Sequence, residues 1–155
     1  MSEKTVYLDN NATTMVDPQV FEAMKPYFCD LYGNPSSMHE FGGQVMHAVD
    51  KAREQVKDFL GARDAKEIIF TASGSEGDNM AIRGVLEANK NKKHIITTKI
   101  EHPAVLNVYK YLEKQGYDVT YLDVDSKGNL DLNQLAESIT DETALVSIMY
   151  ANNET

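Results

Sequence analysis

Between Asp17 and Phe28 the apolar residues Val20, Phe21, Met24, Tyr27 and Phe28 recur three and four positions apart, the spacing of one helix face. Asp17-Pro18 supplies the cap and the preset φ that open a helix there. Gly33-Asn34-Pro35-Ser36-Ser37 cannot continue it, because Pro35 disfavours helical backbone at Asn34 and small polar residues favour turns. A long helix is expected next, with the stripe Val45, Val49, Ala52, Val56, Phe59 and Leu60 on its buried face and Gly61 at its C-terminal cap. From there the pattern alternates. Strands are expected near 67–70, 94–98, 117–123 and 143–149, with helices near 75–89, 103–115 and 131–139 between them.

This is a repeated strand–helix–strand order, and it predicts an α/β fold. The continuous runs Ile95-Ile96-Thr97-Thr98 and Leu145-Val146-Ser147-Ile148 suit strands covered on both faces, so the sheet should be mainly parallel and flanked by helices. Open sheets of that kind bind ligands at the carboxyl ends of their strands. Three polar groups fall there: Ser73-Gly74-Ser75, Glu101-His102 and Asn152-Asn153-Glu154. There is no internal repeat, low-complexity segment or Gly/Ser-rich linker. Ending at Thr155, just past a strand that reads as buried, the sequence is expected to be truncated before its sheet is complete.

The segment Glu67 to Asn79 holds the first candidate chemistry. A β-branched run leads into a small-residue turn and then a helix, so backbone N–H groups and the positive end of the helix dipole favour an anion near Ala72, Ser73 and Gly74. Ser75 can add a hydroxyl donor. Neither a Gly-Lys-Ser/Thr ending nor a Gly-x-Gly-x-x-Gly run is present, which argues against a nucleoside triphosphate or a dinucleotide. The same residues would also serve as a plain helix start with no ligand.

Composition narrows the function classes. Over 155 residues, 15 Lys plus Arg stand against 24 Asp plus Glu, a net charge of −9. The longest basic cluster is Lys90-Asn91-Lys92-Lys93, so nucleic acid is not an expected partner. The N-terminal residues carry neither a signal-peptide nor a membrane-spanning pattern, and a cytoplasmic protein without membrane association is expected. The single cysteine, Cys29, excludes an internal disulfide and reads as a buried small hydrophobe. The four histidines have no zinc-type spacing, so no metal site is expected.

Several motifs in order carry a resemblance. They are Tyr7-Leu8-Asp9-Asn10-Asn11-Ala12-Thr13-Thr14, Gly33-Asn34-Pro35-Ser36-Ser37-Met38-His39, the turn at Ser73-Gly74-Ser75, Glu101-His102-Pro103-Ala104-Val105-Leu106, and Asn152-Asn153-Glu154-Thr155. Together they resemble the N-terminal portion of NifS/IscS-type cysteine desulfurases, fold-type I pyridoxal phosphate enzymes of the class V aminotransferase superfamily. The resemblance covers the whole chain but well under half of a complete family member. It implies residues 1–15 as an N-terminal segment near the active-site mouth, and 16–155 as the first part of the large cofactor-binding α/β domain, short of a complete sheet and of the small domain.

Carried over by position, the phosphate-binding pair falls on Gly74 and Ser75, where the family often has Ala-Thr. His102 falls on the histidine that stacks on the cofactor ring and assists proton transfer. A flat ring that titrates near neutrality has the chemistry for both tasks, although it could also simply cap the helix that Pro103 begins. Asn153 falls on the asparagine near the cofactor's phenolic oxygen and the substrate carboxylate, although Asn-Asn also suits a plain turn. Asn11, Ala12, Thr13 and Asn34 are implied to lie near the substrate. His39 and His47 read as surface or structurally satisfied histidines.

The resemblance further implies pyridoxal 5'-phosphate as cofactor and L-cysteine as substrate. The products would be L-alanine and an enzyme persulfide, passed to iron–sulfur cluster assembly or thiolation through a sulfur-acceptor or scaffold protein, and the enzyme would be a homodimer. The family's Schiff-base lysine and nucleophilic cysteine have no counterpart among these residues, and Cys29 is not that nucleophile. A 155-residue polypeptide alone is therefore expected to be inactive. Three alternatives stay open: a selenocysteine lyase or another class V enzyme, a non-catalytic half that needs a second chain, and a generic anion-binding module.

Overall fold

The computed structural model describes residues 6–154; residues 1–5, and Thr155 of the final motif, lie outside the described residues. The chain divides into two compact units at the Phe70–Thr71 junction.

In the first unit, Asp17 opens helix α1 (Pro18–Met24) by accepting from the Gln19 N–H at 2.7 Å. The single helix expected from the stripe is broken after Lys25, and α2 (Pro26–Cys29) follows as a separate turn. Pro26 has no N–H to donate to the preceding turn, which interrupts the ladder. Val20, Phe21, Met24, Tyr27 and Phe28 are all exposed, and so is Cys29, contrary to its reading as a buried hydrophobe. Helix α3 (Glu40–Leu60) ends as expected on Gly61, whose φ of 69° is the left-handed value a glycine accepts without strain. Its stripe is covered at Val45 but open at its far end, where Phe59 is 88% exposed.

The strand expected near 67–70 is absent. A 3-10 turn occupies Ala65–Glu67, and the extended residues after it pair with no other strand among the described residues. The Ile68 carbonyl instead accepts from Arg53 Nε at 3.2 Å. A β-branched run supplies the propensity for a strand, but ladder formation needs a neighbour.

The second unit contains α4 (Gly74–Ala88), β1 (His94–Thr98), α5 (Pro103–Lys114), β2 (Asp118–Leu122), α6 (Leu132–Ser138) and β3 (Thr143–Val146). The strands form a parallel sheet in the order β2-β1-β3, so β1 is central. Every residue of β1 is buried. β3 is an edge strand and only half covered, so coverage on both faces, expected for both runs, holds for β1 alone. Along α5 the residues Val105, Val108, Tyr109 and Leu112 make one apolar face and pack with Ile82 and Leu86 of α4 and Ile95 of β1.

A histidine clips the three strands together at the amino end of the sheet. His94 is buried, and its two ring nitrogens lie 2.8 Å from Thr143 Oγ1 of β3 and 2.9 Å from Thr120 Oγ1 of β2. A neutral imidazole has one donor and one acceptor nitrogen, and a hydroxyl can meet either, so both contacts are satisfied.

Candidate functional site

The α4 opening is built by a reciprocal cap. Ser73 Oγ accepts from the Glu76 N–H at 3.2 Å, and the Glu76 carboxylate reaches back to the Ala72 N–H at 2.5 Å. The Ser-x-x-Glu spacing that makes this possible is readable in the sequence, and it assigns Ser73 to the helix rather than to a ligand. Gly74 and Ser75 are the first two residues of α4, exposed, and their N–H groups have no carbonyl one turn earlier to bond. A Cβ at Gly74 would meet nothing within 4 Å, so there is open space in front of the helix end. Along the same helix Asn79 Nδ2 donates to the Ser75 carbonyl at 2.9 Å, and the Arg83 guanidinium lies over the Tyr111 ring of α5 at 4.8 Å. A shallow groove between α4 and α5 is lined by Ser75, Asn79, Arg83, Pro103, Ala104 and Tyr111, among others.

His102 stands at the carboxyl end of β1 as the N-cap of α5, with Pro103 at the first helical position. Its Nδ1 accepts from the Ala104 N–H at 3.1 Å. The capping role is therefore real, and it orients the ring. With Nδ1 engaged as acceptor, a neutral ring carries its proton on Nε2, and the exposed imidazole keeps that nitrogen for other work.

Beyond β3 the chain turns back over the end of β1. Ser147 N–H donates to the Ile96 carbonyl at 3.0 Å, and Thr97 Oγ1 donates to the Ser147 carbonyl at 2.9 Å. Asn152 Nδ2 donates to the Ile100 carbonyl at 2.9 Å, and its Oδ1 accepts from the Glu154 N–H at 2.6 Å. Asn153 is exposed beside it, with Nδ2 3.1 Å from Glu154 Oε1. The β1–α5 loop and the segment after β3 are thus joined directly, and the first turns of α4 and α5 share a groove. In the second unit, Ser75 thus faces the groove shared with the start of α5, and His102 and Asn153 stand on the two joined segments beyond the carboxyl ends of β1 and β3. Tyr109 of α5 is fully buried in the core, with its hydroxyl donating to the Ile96 carbonyl at 3.3 Å. Burial, with Glu101 nearby, pushes that phenol up to about 12.

The remaining candidates belong to the first unit. Asn11, Ala12 and Thr13 are exposed in a turn in which the Ala12 and Thr13 N–H groups donate to the Asp9 carbonyl. Asn34 Oδ1 accepts from the Ser36 N–H at 2.9 Å, and its carbonyl from the Ser37 N–H at 3.0 Å. A Cβ at Gly42 would fall 2.5 Å from the Ser37 carbonyl, so only glycine lets this turn lie against the start of α3. His39 caps α3 through Nδ1, 3.2 Å from the Gly42 N–H. Sequence reasoning placed Glu101 beside His102 at the end of β1 but missed that its side chain is buried and bonded to the Met149 N–H.

The Aminotransferase class-V family model matches residues 6–155. The chain belongs to the class V aminotransferase family. It is 66% identical over 150 residues to a cysteine desulfurase of Nostoc sp. strain PCC 7120, across 97% of this chain and 37% of that protein. Among solved structures, one described as a NifS-like protein matches with a TM-score of 0.92 and 46% identity, over 96% of this chain and 41% of that one. Another, described as SspA in complex with cysteine, matches with a TM-score of 0.90 and 41% identity, over 97% and 43%. This class V chain thus spans well under half the length of its relatives, and within that span it has the fold-type I architecture, with a parallel sheet flanked by helices.

The residues present fit part of pyridoxal phosphate. Two unpaired N–H groups and the Ser75 hydroxyl, with open space before them and the helix dipole behind, suit a phosphate. The exposed His102 ring suits an aromatic face. Among the described residues no cluster of His, Cys, Asp and Glu could hold a metal ion, and no helix is long and apolar enough to cross a membrane.

Proposed function

We propose that these residues are the phosphate-binding and ring-contacting part of a pyridoxal 5'-phosphate-dependent cysteine desulfurase, which converts L-cysteine to L-alanine and leaves sulfur as an enzyme persulfide for iron–sulfur cluster assembly or thiolation. The observation that carries this reading is that the Nδ1-anchored His102 and the Asn152–Asn153 turn are tied together beyond the carboxyl ends of the adjacent parallel strands β1 and β3, while the open α4 end shares a groove with the start of α5, which His102 caps. The identity to cysteine desulfurases supports it. When bound, the cofactor supplies the electron sink for bond changes at the amino acid.

Each residue of this chain has a separable task. Gly74 and Ser75 hold the phosphate by their N–H groups and a hydroxyl. His102, with Nδ1 tied to Ala104, offers its ring face to the cofactor and Nε2 to a proton. Asn153 offers an amide to the cofactor's phenolic oxygen or to the substrate carboxylate. The schemes for sulfur delivery and homodimer assembly follow the family resemblance, and a cytoplasmic location follows the N-terminal sequence pattern.

The test is cysteine turnover by the full-length protein with pyridoxal phosphate. Alanine and sulfur release in equal amounts are expected, with Ser75→Ala weakening cofactor affinity and His102→Gln lowering kcat. Failure of the full-length protein to form alanine from cysteine would overturn the reading. The 155-residue polypeptide alone should give no turnover.

A further inference from the structure

We propose that Glu101, aided by Asn152, is a positioning clamp: it holds the segment that carries Asn153 against the loop that carries His102, and so sets the spacing of those two side chains. This inference rests on the desulfurase reading above for its catalytic consequence, but its structural part stands separately.

Glu101 is 6% exposed, and glutamates are seldom so buried unless something compensates them. Among the described residues none of the ion pairs includes it. Its compensation is a pair of hydrogen bonds to one oxygen. Oε1 accepts from the Met149 N–H at 2.5 Å and from the Thr98 hydroxyl at 3.3 Å. Thr98 ends β1 and Met149 lies just past β3, so a single carboxyl oxygen joins the ends of two neighbouring strands.

The location of that bond gives it consequence. Regular pairing of β1 with β3 stops at Ile96 and Val146, and the Ser147 N–H to Ile96 bond extends it by one residue. Past that point the two segments are held by Glu101 to Met149 and by Asn152 to the Ile100 carbonyl. Glu101 directly precedes His102, whose ring is independently fixed on Ala104. Loss of the Glu101 oxygen would remove the tie at Met149 and loosen the segment after β3, while leaving the α5 cap and the α4 opening intact. A buried leucine would fill similar space but leave the Met149 N–H unpaired. A glutamine would keep the acceptor oxygen.

The experiment compares wild type, Glu101→Gln and Glu101→Leu in the full-length, cofactor-saturated protein, by cofactor affinity, visible circular dichroism of the bound cofactor, and kcat with KM for cysteine. In Glu101→Leu, kcat should fall roughly ten- to hundredfold, as for a displaced active-site group, with an altered dichroic band and cofactor affinity within about threefold of wild type. Glu101→Gln should stay within about threefold of wild type in kcat. An unchanged band and kcat in Glu101→Leu would overturn the clamp, and so would damage in Glu101→Gln equal to that in Glu101→Leu. Should Glu101→Leu fail to fold, Asn152→Ala decides: a changed band and lower kcat at normal cofactor affinity support the clamp, and unchanged values overturn it. A wild type that binds the cofactor but leaves cysteine untouched, with the band still altered in Glu101→Leu, overturns the desulfurase reading and keeps the clamp.

Discussion

Helices α3 and α5 carry the same kind of apolar stripe, yet one is largely open and the other closed. On α5, Val105, Val108, Tyr109 and Leu112 are all buried against α4 and β1. On α3, only Gly42 and Val45 are buried, and Phe59 and Leu60 stand in the open. The difference teaches that periodicity specifies which face of a helix seeks cover, whereas cover itself depends on which elements arrive opposite. In the second unit a parallel sheet and a neighbouring helix arrive. In the first, the described residues bring only two short helices and a 3-10 turn.

The sharpest way to break this contrast is Tyr109→Ala. Removing a fully buried ring that also bonds the Ile96 carbonyl should cost about 3–5 kcal/mol in urea denaturation of the 155-residue chain.

A milder probe uses pH. Burial raises the Tyr109 phenol from 10.0 to about 12, so its contribution to stability is complete below the unfolded value and lost as pH rises from about 10 towards 12. Across that window the stability difference between wild type and Tyr109→Phe should move against wild type; a difference that stays constant with pH would contradict the assignment.

Ser73→Ala should cost about 1 kcal/mol by removing the α4 cap, measured in the same denaturation. The smallest effect is expected at α3, where Phe59→Ser should change stability by no more than about 0.5 kcal/mol in this chain. A loss comparable to that of Tyr109→Ala would mean the α3 stripe is covered after all.

Much of the fold was legible because its signals are local. Asp17-Pro18, Gly61 and His102-Pro103 mark helix ends through capping geometry within a few residues, and β1 falls where Ile95-Ile96-Thr97-Thr98 predicts it. His102 and Asn153 were legible as candidates because strand–helix order sends the segments after parallel strands to one end of the sheet, and the resemblance singled them out there with Gly74 and Ser75, although the strand expected before the latter pair is absent. The absent strand near 67–70 and the exposed Cys29 were not legible, since pairing and burial depend on neighbours far along the chain. The tie made by Glu101 was hidden for the same reason: its partner is Met149, 48 residues on.

By itself, then, the sequence determined the helix caps, the alternation of helices and strands from α4 to β3, and the identity of the residues at the start of α4 and at the strand ends, since each depends on backbone preferences and side-chain chemistry close in sequence. Only the tertiary structure decided that β1 lies between β2 and β3, that His94 joins all three strands, and that Glu101 and Asn152 tie the His102 loop to the Asn153 segment. Those contacts form between residues tens of positions apart, and a hydrogen bond acquires a partner only when packing brings the two segments within about 3 Å.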